Sequence, residues 1–252
     1  MSADLPGEAR GVTRRPALLV SSERLASAQA VWDHWAVFGA IPEVHVIDTL
    51  GRFLTADEAR VLAPGFALGL GYPGTFFDAL QAARLSLVFP LLARTDGAIP
   101  GLLEFMGVPY LGCGITGAVL AHDSRHGRAV LESLGLAHAG LGVPADVRVA
   151  VLGNQDPSVG SAGDPEAEGF CRKVYQGLGL SGWALVGAAR VGDGWRWTSV
   201  EIQPDLGEGS PFLASLEARG LDLAAVLERV TRWGLARYEA QASLKRRFRE
   251  KI

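Results

Sequence analysis

Residues Val88–Gly114, VFPLLARTDGAIPGLLEFMGVPYLGCG, decide the reading of this chain. A short apolar run ends at Pro90, a turn carries Asp96-Gly97, and an apolar helical pattern follows through Leu102, Leu103 and Phe105. Gly107-Val108-Pro109-Tyr110 then restarts an extended segment, closed by a Gly112-Cys113-Gly114 turn. Strand, helix and strand in that order form a crossover unit, which sets parallel strands side by side.

The pattern continues in both directions. Upstream, Pro16–Val20 reads as a buried strand, and residues 24–38 carry a helical pattern with Val31, Trp32 and Trp35. Glu43–Ile47 alternates as a second strand, Thr55 is placed to cap a helix, residues 76–84 read as helix and Leu85–Phe89 as a third strand. Gly69-Leu70-Gly71-Tyr72-Pro73-Gly74 spells GxGxxG, but it follows no strand and Pro73 spoils a helix opening, so it reads as a turn.

Downstream, residues 116–134 read as one long helix weakened at Gly127, and residues 136–146 as a Gly/Pro-containing linker. Val147–Leu152 is a strand, residues 155–165 a polar loop and residues 166–178 a helix. Two strands, residues 183–191 and 195–202, flank the hairpin signal Gly192-Asp193-Gly194, and residues 221–240 form a long amphipathic helix. Over residues 16–134, alternating strands and helices imply a mostly parallel sheet. The basic run Lys245–Lys251 reads as a solvated helix end.

Composition narrows the classes. The chain has 252 residues, 48% of them apolar and 20% charged, which describes a globular protein able to bury a core. A net charge of −3 gives no reason to expect nucleic acid or an anionic membrane as partner. Cys113 and Cys171 are the two cysteines, too few for a disulfide scaffold, and they fit a reducing cytoplasm. Polar residues run up to Pro16 without a signal-peptide core, so the first fifteen residues read as a flexible leader. Of the five histidines, only His122 and His126 share an i, i+4 spacing, and no third ligand stands near them for a metal.

The Val88–Gly114 order closely resembles the end of the N-terminal domain of D-alanine–D-alanine ligases, in the ATP-grasp superfamily. The likeness continues through Val149-Ala150-Val151-Leu152-Gly153-Asn154, through Leu178-Gly179 to Gly182-Trp183-Ala184, through Glu201-Ile202-Gln203 with Gly207 and Ser210, and through Gly220-Leu221 with the last helix. It therefore spans about Pro16 to Ala240 in the family's order. It implies an α/β fold: a Rossmann-like parallel sheet over residues 16–138, then a reduced ATP-grasp-like α+β domain over residues 139–252. It also implies a homodimer through the N-terminal domain and a small amino-acid-like ligand. In such ligases ATP phosphorylates the carboxylate of the first D-alanine, and the amine of the second attacks it. Mg²⁺ bridges the phosphates on oxygen ligands, and lysines with a glycine-rich lid cover them.

Position by position, this chain departs from that list. Glu23, after Ser21-Ser22, matches the glutamate that orients the first amino group, or is a helix-start carboxylate favoured by the dipole. The histidine loop has shrunk to Ala93-Arg94-Thr95. Arg128 takes the place of a nucleotide-binding basic residue, or is a surface arginine, and Ser124 stands at a lysine position. About nine residues bridge His138 to Val147, where the family places a lysine and the lid. The first lysine in the chain is Lys173, and no GxxxxGK loop exists.

Leu185 falls where the family has a catalytic arginine and Gly187 where it has a metal-binding aspartate. Glu201 keeps the second carboxylate and Gln203 replaces an asparagine, a poor pair for Mg²⁺. Arg190 could pair with Glu201 across the hairpin. Ser210 matches the serine that receives the second D-alanine's carboxylate, or caps the next helix. The expectation is a relative of these ligases that has lost most ATP machinery and binds a small ligand or a partner protein. The alternatives are an active ligase in cell-wall precursor synthesis, with Arg128, Lys173 and Glu201 converging on phosphates, or an unrelated α/β binding module.

Overall fold

The computed structural model describes residues 15–62, 76–81, 85–93, 96–153, 157–160 and 163–249. The leader, the 69–74 turn and Arg94-Thr95 lie outside these residues. The chain divides into two compact units. The first takes residues up to 93, 102–111 and 231 onward; the second takes 94–101 and 112–230.

In the first unit, β1 (Arg15–Ser21) lies between β2 (Glu43–Ile47) and β3 (Leu85–Leu91), and both pairings are parallel. All of β3 and all but the first residue of β1 are buried, as expected of strands covered on both faces. Tyr110 extends this sheet by a single parallel bridge to Val88. The Val88 amide donates to the Pro109 carbonyl (2.8 Å) and the Leu111 amide to the Val88 carbonyl (2.9 Å).

The crossover from β1 to β2 is not one helix. A 3₁₀ turn at Ser22–Arg24 leads into α1 (Leu25–Trp32), and a second 3₁₀ turn covers Trp35–Phe38. Gly39 ends that turn in the left-handed conformation (φ 74°), which only glycine adopts readily. Helices α2 (Ala56–Leu62) and α3 (Phe76–Gln81) precede β3. Helix α4 (Ala98–Met106) begins just after Gly97, where φ is 88°.

The second unit is built on an antiparallel sheet, in keeping with the α+β expectation for the later part of the chain. Its order is β5 (Ser158–Val159), β4 (Val147–Gly153), β6 (Gly182–Val191), β7 (Gly194–Glu201). Strand β5 sits in the segment read as a polar loop. The β6–β7 hairpin turns at Gly192, as its sequence indicates.

The long helix over residues 116–134 is in fact two: α5 (Ile115–His122) and α6 (Ser124–Ser133). Asp123 breaks it. Its backbone is extended (φ −82°, ψ 90°) and its carboxylate accepts the Arg125 and His126 amides, an N-cap that outcompetes helix continuation. Gly127 is required there for close approach, because a Cβ would press on the Leu120 carbonyl oxygen.

One face of this sheet is apolar and buried. Val149 and Val151 of β4, Ala184, Val186 and Ala188 of β6 and Trp197 of β7 pack with Leu131 of α6 and with Cys171, Val174 and Tyr175 of α7 (Pro165–Gly177). Burial pushes the Cys171 thiol up to about 12, with the Glu168 charge adding to it. The Tyr175 hydroxyl donates to the Gly153 carbonyl (2.6 Å), which satisfies its one polar atom in the core. Helix α8 (Pro211–Glu217) packs against β4, where the Ala150 amide donates to the Ser215 hydroxyl (3.1 Å). Helix α9 (Leu223–Arg249) closes the chain, contributing residues 223–230 to the second unit and the remainder to the first.

Candidate functional site

Strand alternation decides which side chains of the hairpin share a side. Successive residues of a strand point to opposite faces. Ala184, Val186 and Ala188 belong to the α7-side core, so Trp183, Leu185 and Gly187 face away from it. Glu201 is the direct partner of Leu185, and Ser199 of Gly187, so the carboxylate lies on that same second face.

On that face the two positions expected to carry charge, Leu185 and Gly187, carry none. Leu185 is 3% exposed, an apolar side chain at the position of the expected arginine. At Gly187 the register shifts: Gly187 pairs with Ser199 and Ala188 with Trp197, leaving Thr198 as an extra residue. A Cβ on Gly187 would lie 2.6 Å from Ser199 Oγ, 2.7 Å from Thr198 Oγ1 and 3.2 Å from Ala145 Cβ. An aspartate at this position would have to displace both hydroxyls and the Ala145 methyl.

Ala145 belongs to the short connection between α6 and β4, and hydrogen bonds hold that connection at both ends. Trp197 donates its amide to the Ala137 carbonyl (3.2 Å) and its indole N–H to the Leu136 carbonyl (3.2 Å), and it accepts from the Ala139 amide (2.9 Å). His138 packs edge-on against the Trp197 ring, with centroids 4.3 Å apart. At the other end, the Asp146 amide donates to the Ala188 carbonyl (2.9 Å) and Asp146 Oδ2 accepts the Arg190 amide (2.7 Å). The connection that stands in the lid's place is thus held to β7 at one end and to β6 at the other.

Gln203 has its Oε1 buried with no hydrogen-bond partner among the described residues, and its amide nitrogen sits over Gly112, 3.6 Å from where a Cβ would be. Gly112 in turn packs on Gly182, where a Cβ would lie 2.9 Å from the Gly112 Cα. Ser210 caps α8: its hydroxyl accepts the Leu213 amide (3.4 Å), the structural one of its two readings. Arg190 does not reach Glu201. It sits five residues along β6 from Leu185, near Glu166 (3.8 Å) and over the Trp195 ring (5.8 Å).

Arg128 pairs with Glu132 (2.7 Å) on the exposed side of α6. Lys173 is exposed on α7. Both helices cover the face opposite Glu201, so Arg128, Lys173 and Glu201 do not converge. His122 and His126 lie on different helices; His126 Nδ1 instead meets Asp123 Oδ2 (2.6 Å), and that hydrogen bond is the main cause holding the Asp123 carboxyl below its ordinary range. In the first unit, Glu23 is exposed on the turn after β1, and the Ser21 hydroxyl accepts the Ala93 amide (3.1 Å).

No group of three or more His, Cys, Asp or Glu capable of holding a metal occurs among the described residues. Glu201 and Gln203 supply one carboxylate and one amide. A hard divalent cation bridging phosphates needs more oxygen ligands than that pair, so the described residues do not fit Mg²⁺-ATP. No helix among the described residues is long and apolar enough to cross a membrane.

One feature escaped the sequence reading. In the first unit a cleft is lined by Glu104, Val108, Pro109 and Tyr110 on one side and by Gly234, Arg237, Tyr238 and Gln241 of α9 on the other. The signal was present: 234, 237, 238 and 241 are spaced i, i+3, i+4, i+7, a single helix face that is small and polar where an amphipathic helix would be apolar.

No family model matches the chain. It is 32% identical over 185 residues to the D-alanine–D-alanine ligase of Bifidobacterium animalis subsp. lactis (strain AD011), covering 69% of this chain and 44% of that protein. It is 30% identical over 171 residues to the D-alanine–D-alanine ligase of Streptomyces coelicolor, covering 66% of this chain and 40% of that protein. The chain spans less than half the length of these curated relatives. Among solved structures, the D-alanine–D-alanine ligase of Coxiella burnetii superposes with a TM-score of 0.76 at 17% identity, over 94% of this chain and 99% of that one. The VanG D-Ala:D-Ser ligase of Enterococcus faecalis superposes with a TM-score of 0.69 at 16% identity, over 88% of this chain and 99% of that one. At these identities the superpositions speak for the fold, and the sequence matches carry the kinship. The chain is a divergent member of the D-alanine–D-alanine ligase family.

Proposed function

We propose that this protein is a non-catalytic member of its family, retained to bind a small amino-acid-like ligand or a protein partner. The observation that carries the reading is the packed surround of Gly187, with Ala145 of the short connection lying where a metal-binding carboxylate would have to project. Leu185, buried opposite Glu201, supports it from the neighbouring position. The test is turnover: purified protein with Mg²⁺-ATP and D-alanine releases no ADP above a Glu201→Ala control. ADP release that depends on Glu201 and on D-alanine overturns the reading.

A second reading is favoured by the kinship and by the surviving Glu201 carboxylate. In it the protein is an ATP-dependent ligase working in peptidoglycan precursor synthesis, with Glu201 its remaining acidic site residue. The same assay decides between the two. On either reading we propose a homodimer formed through the N-terminal region, measured by light scattering of the full chain.

A further inference from the structure

The connection between α6 and β4 carries a device that neither reading uses. Its first end lies along the edge of β7. His138 forms a parallel bridge with Trp197, and the Trp197 backbone exchanges hydrogen bonds with Ala137 (3.2 Å) and Ala139 (2.9 Å). The His138 ring stands edge-on to the indole, with centroids 4.3 Å apart. The chain then turns at Gly140, whose φ of 111° suits glycine alone, and the Gly140 amide donates to His138 Nδ1 (2.9 Å). A backbone amide can only donate, so Nδ1 must accept. A neutral imidazole accepts on one nitrogen and donates from the other, so the ring is held with its proton on Nε2.

We propose that His138 is a proton-operated latch on this connection: acid that charges the imidazole releases Gly140 and loosens residues 140–145. An imidazolium carries N–H on both nitrogens, so neither orientation of the ring leaves an acceptor for the amide. His138 is half-buried, and the turn beyond it is open to water, with Leu141 96% exposed. The ring makes no other hydrogen bond or ion pair among the described residues. The β7 side chains on its face, Trp195, Trp197 and Val200, are uncharged. On the helices covering that face, Arg128 pairs with Glu132, His126 with Asp123 and Glu168 with Arg219, Glu166 lies near Arg190, and Arg125, Arg172 and Lys173 are exposed. The far end of the connection is held differently: Asp146 Oδ2 accepts the Arg190 amide (2.7 Å). Carboxylates ordinarily take up a proton about two to three pH units below imidazoles. Mild acid therefore frees one end and leaves the other, and the strap whose Ala145 lies beside Gly187 opens from the His138 side. The inference concerns this connection alone and holds whether or not the protein turns over ATP.

The test is NMR of the full chain from about pH 8 to about pH 5, the span in which an imidazole changes charge. Ring ¹⁵N correlations read the His138 tautomer, and amide exchange, corrected for its intrinsic pH dependence, reads the protection of Gly140. At the upper end the proton is expected on Nε2. As the ring titrates, Gly140 is expected to lose protection by about fivefold or more, the equivalent of one ordinary hydrogen bond, with the same midpoint. The Asp146 and Arg190 amides are expected to keep theirs. His138→Asn supplies an uncharged acceptor in place of Nδ1 and is expected to keep Gly140 protected across the whole span. If that variant fails to fold, the measurements on the unaltered chain decide alone. The proposal is overturned by a proton on Nδ1 at the upper end, by a ring still neutral at the lower end, or by Gly140 protection that does not follow the ring. It is overturned equally by an Arg190 amide that opens in step with Gly140, or by a loss that persists in His138→Asn.

Discussion

Restoring the family's carboxylate at position 187 is the sharpest probe of the second unit. A Cβ there meets two hydroxyl oxygens at 2.6 and 2.7 Å and a methyl at 3.2 Å, all closer than ordinary van der Waals contact. The hydroxyls of Ser199 and Thr198 can rotate aside, but Ala145 moves only with the pinned connection. Gly187→Ala should therefore cost about 1–2 kcal/mol, at the lower end of overpacking penalties. Gly187→Asp adds a buried charge whose desolvation hydroxyl donors offset in part, for a total of about 3 kcal/mol or more. In a domain of this size each kcal/mol lowers the melting temperature by about 2–4 °C. Urea denaturation of the two variants, with Ala145→Gly added to each, reads the effect. The added glycine should recover part of the loss, because residues in contact do not behave additively. An alanine variant as stable as the parent refutes the steric argument. An aspartate variant that stays stable and hydrolyses ATP refutes the functional one.

Three further outcomes follow from other parts of the molecule. Ser210→Ala should lower stability by about 1 kcal/mol through loss of the α8 cap, whereas Ser210→Thr should retain it; a melting curve unchanged by alanine would deny the capping role. Gly127→Ala should destabilise by about 1–3 kcal/mol although alanine is the better helix former, because its methyl presses on the Leu120 carbonyl; a stabilised variant in urea titration would show that α5 and α6 yield. Glu58 is held at about 2, first by the Thr55 amide and then by Arg52 and the Thr55 hydroxyl. Its folded value lies below the ordinary 4.5, so its contribution is complete above that pH and fades as the pH falls towards 2. A carboxyl NMR titration of Glu58 with a midpoint near 4.5 would contradict the capping box at the start of α2.

The sequence alone determined the strands other than β5, the hairpin, the break with the family's charged positions and the kinship itself, because these depend on local periodicity and on which residue type stands at which place in an order. Val88–Gly114 carried most of that information. It could not determine where α5 gives way to α6: Gly127 drew the eye, but the Asp123 carboxylate, by capping two amides, ended one helix and began the next. Nor could it pair Arg190 correctly, since only the register of β6 with β7 sets Leu185, and not Arg190, opposite Glu201. The tertiary structure alone decided that Arg128 and Lys173 ride on helices covering one face of a sheet while Glu201 projects from the other. It alone brought Arg237 onto Tyr110 across a separation of 127 residues. Spacing along the chain reports neighbours on one strand or one helix face; which faces meet is settled by packing, where burial of apolar surface and the room around each Cβ choose among arrangements that the sequence leaves equally open.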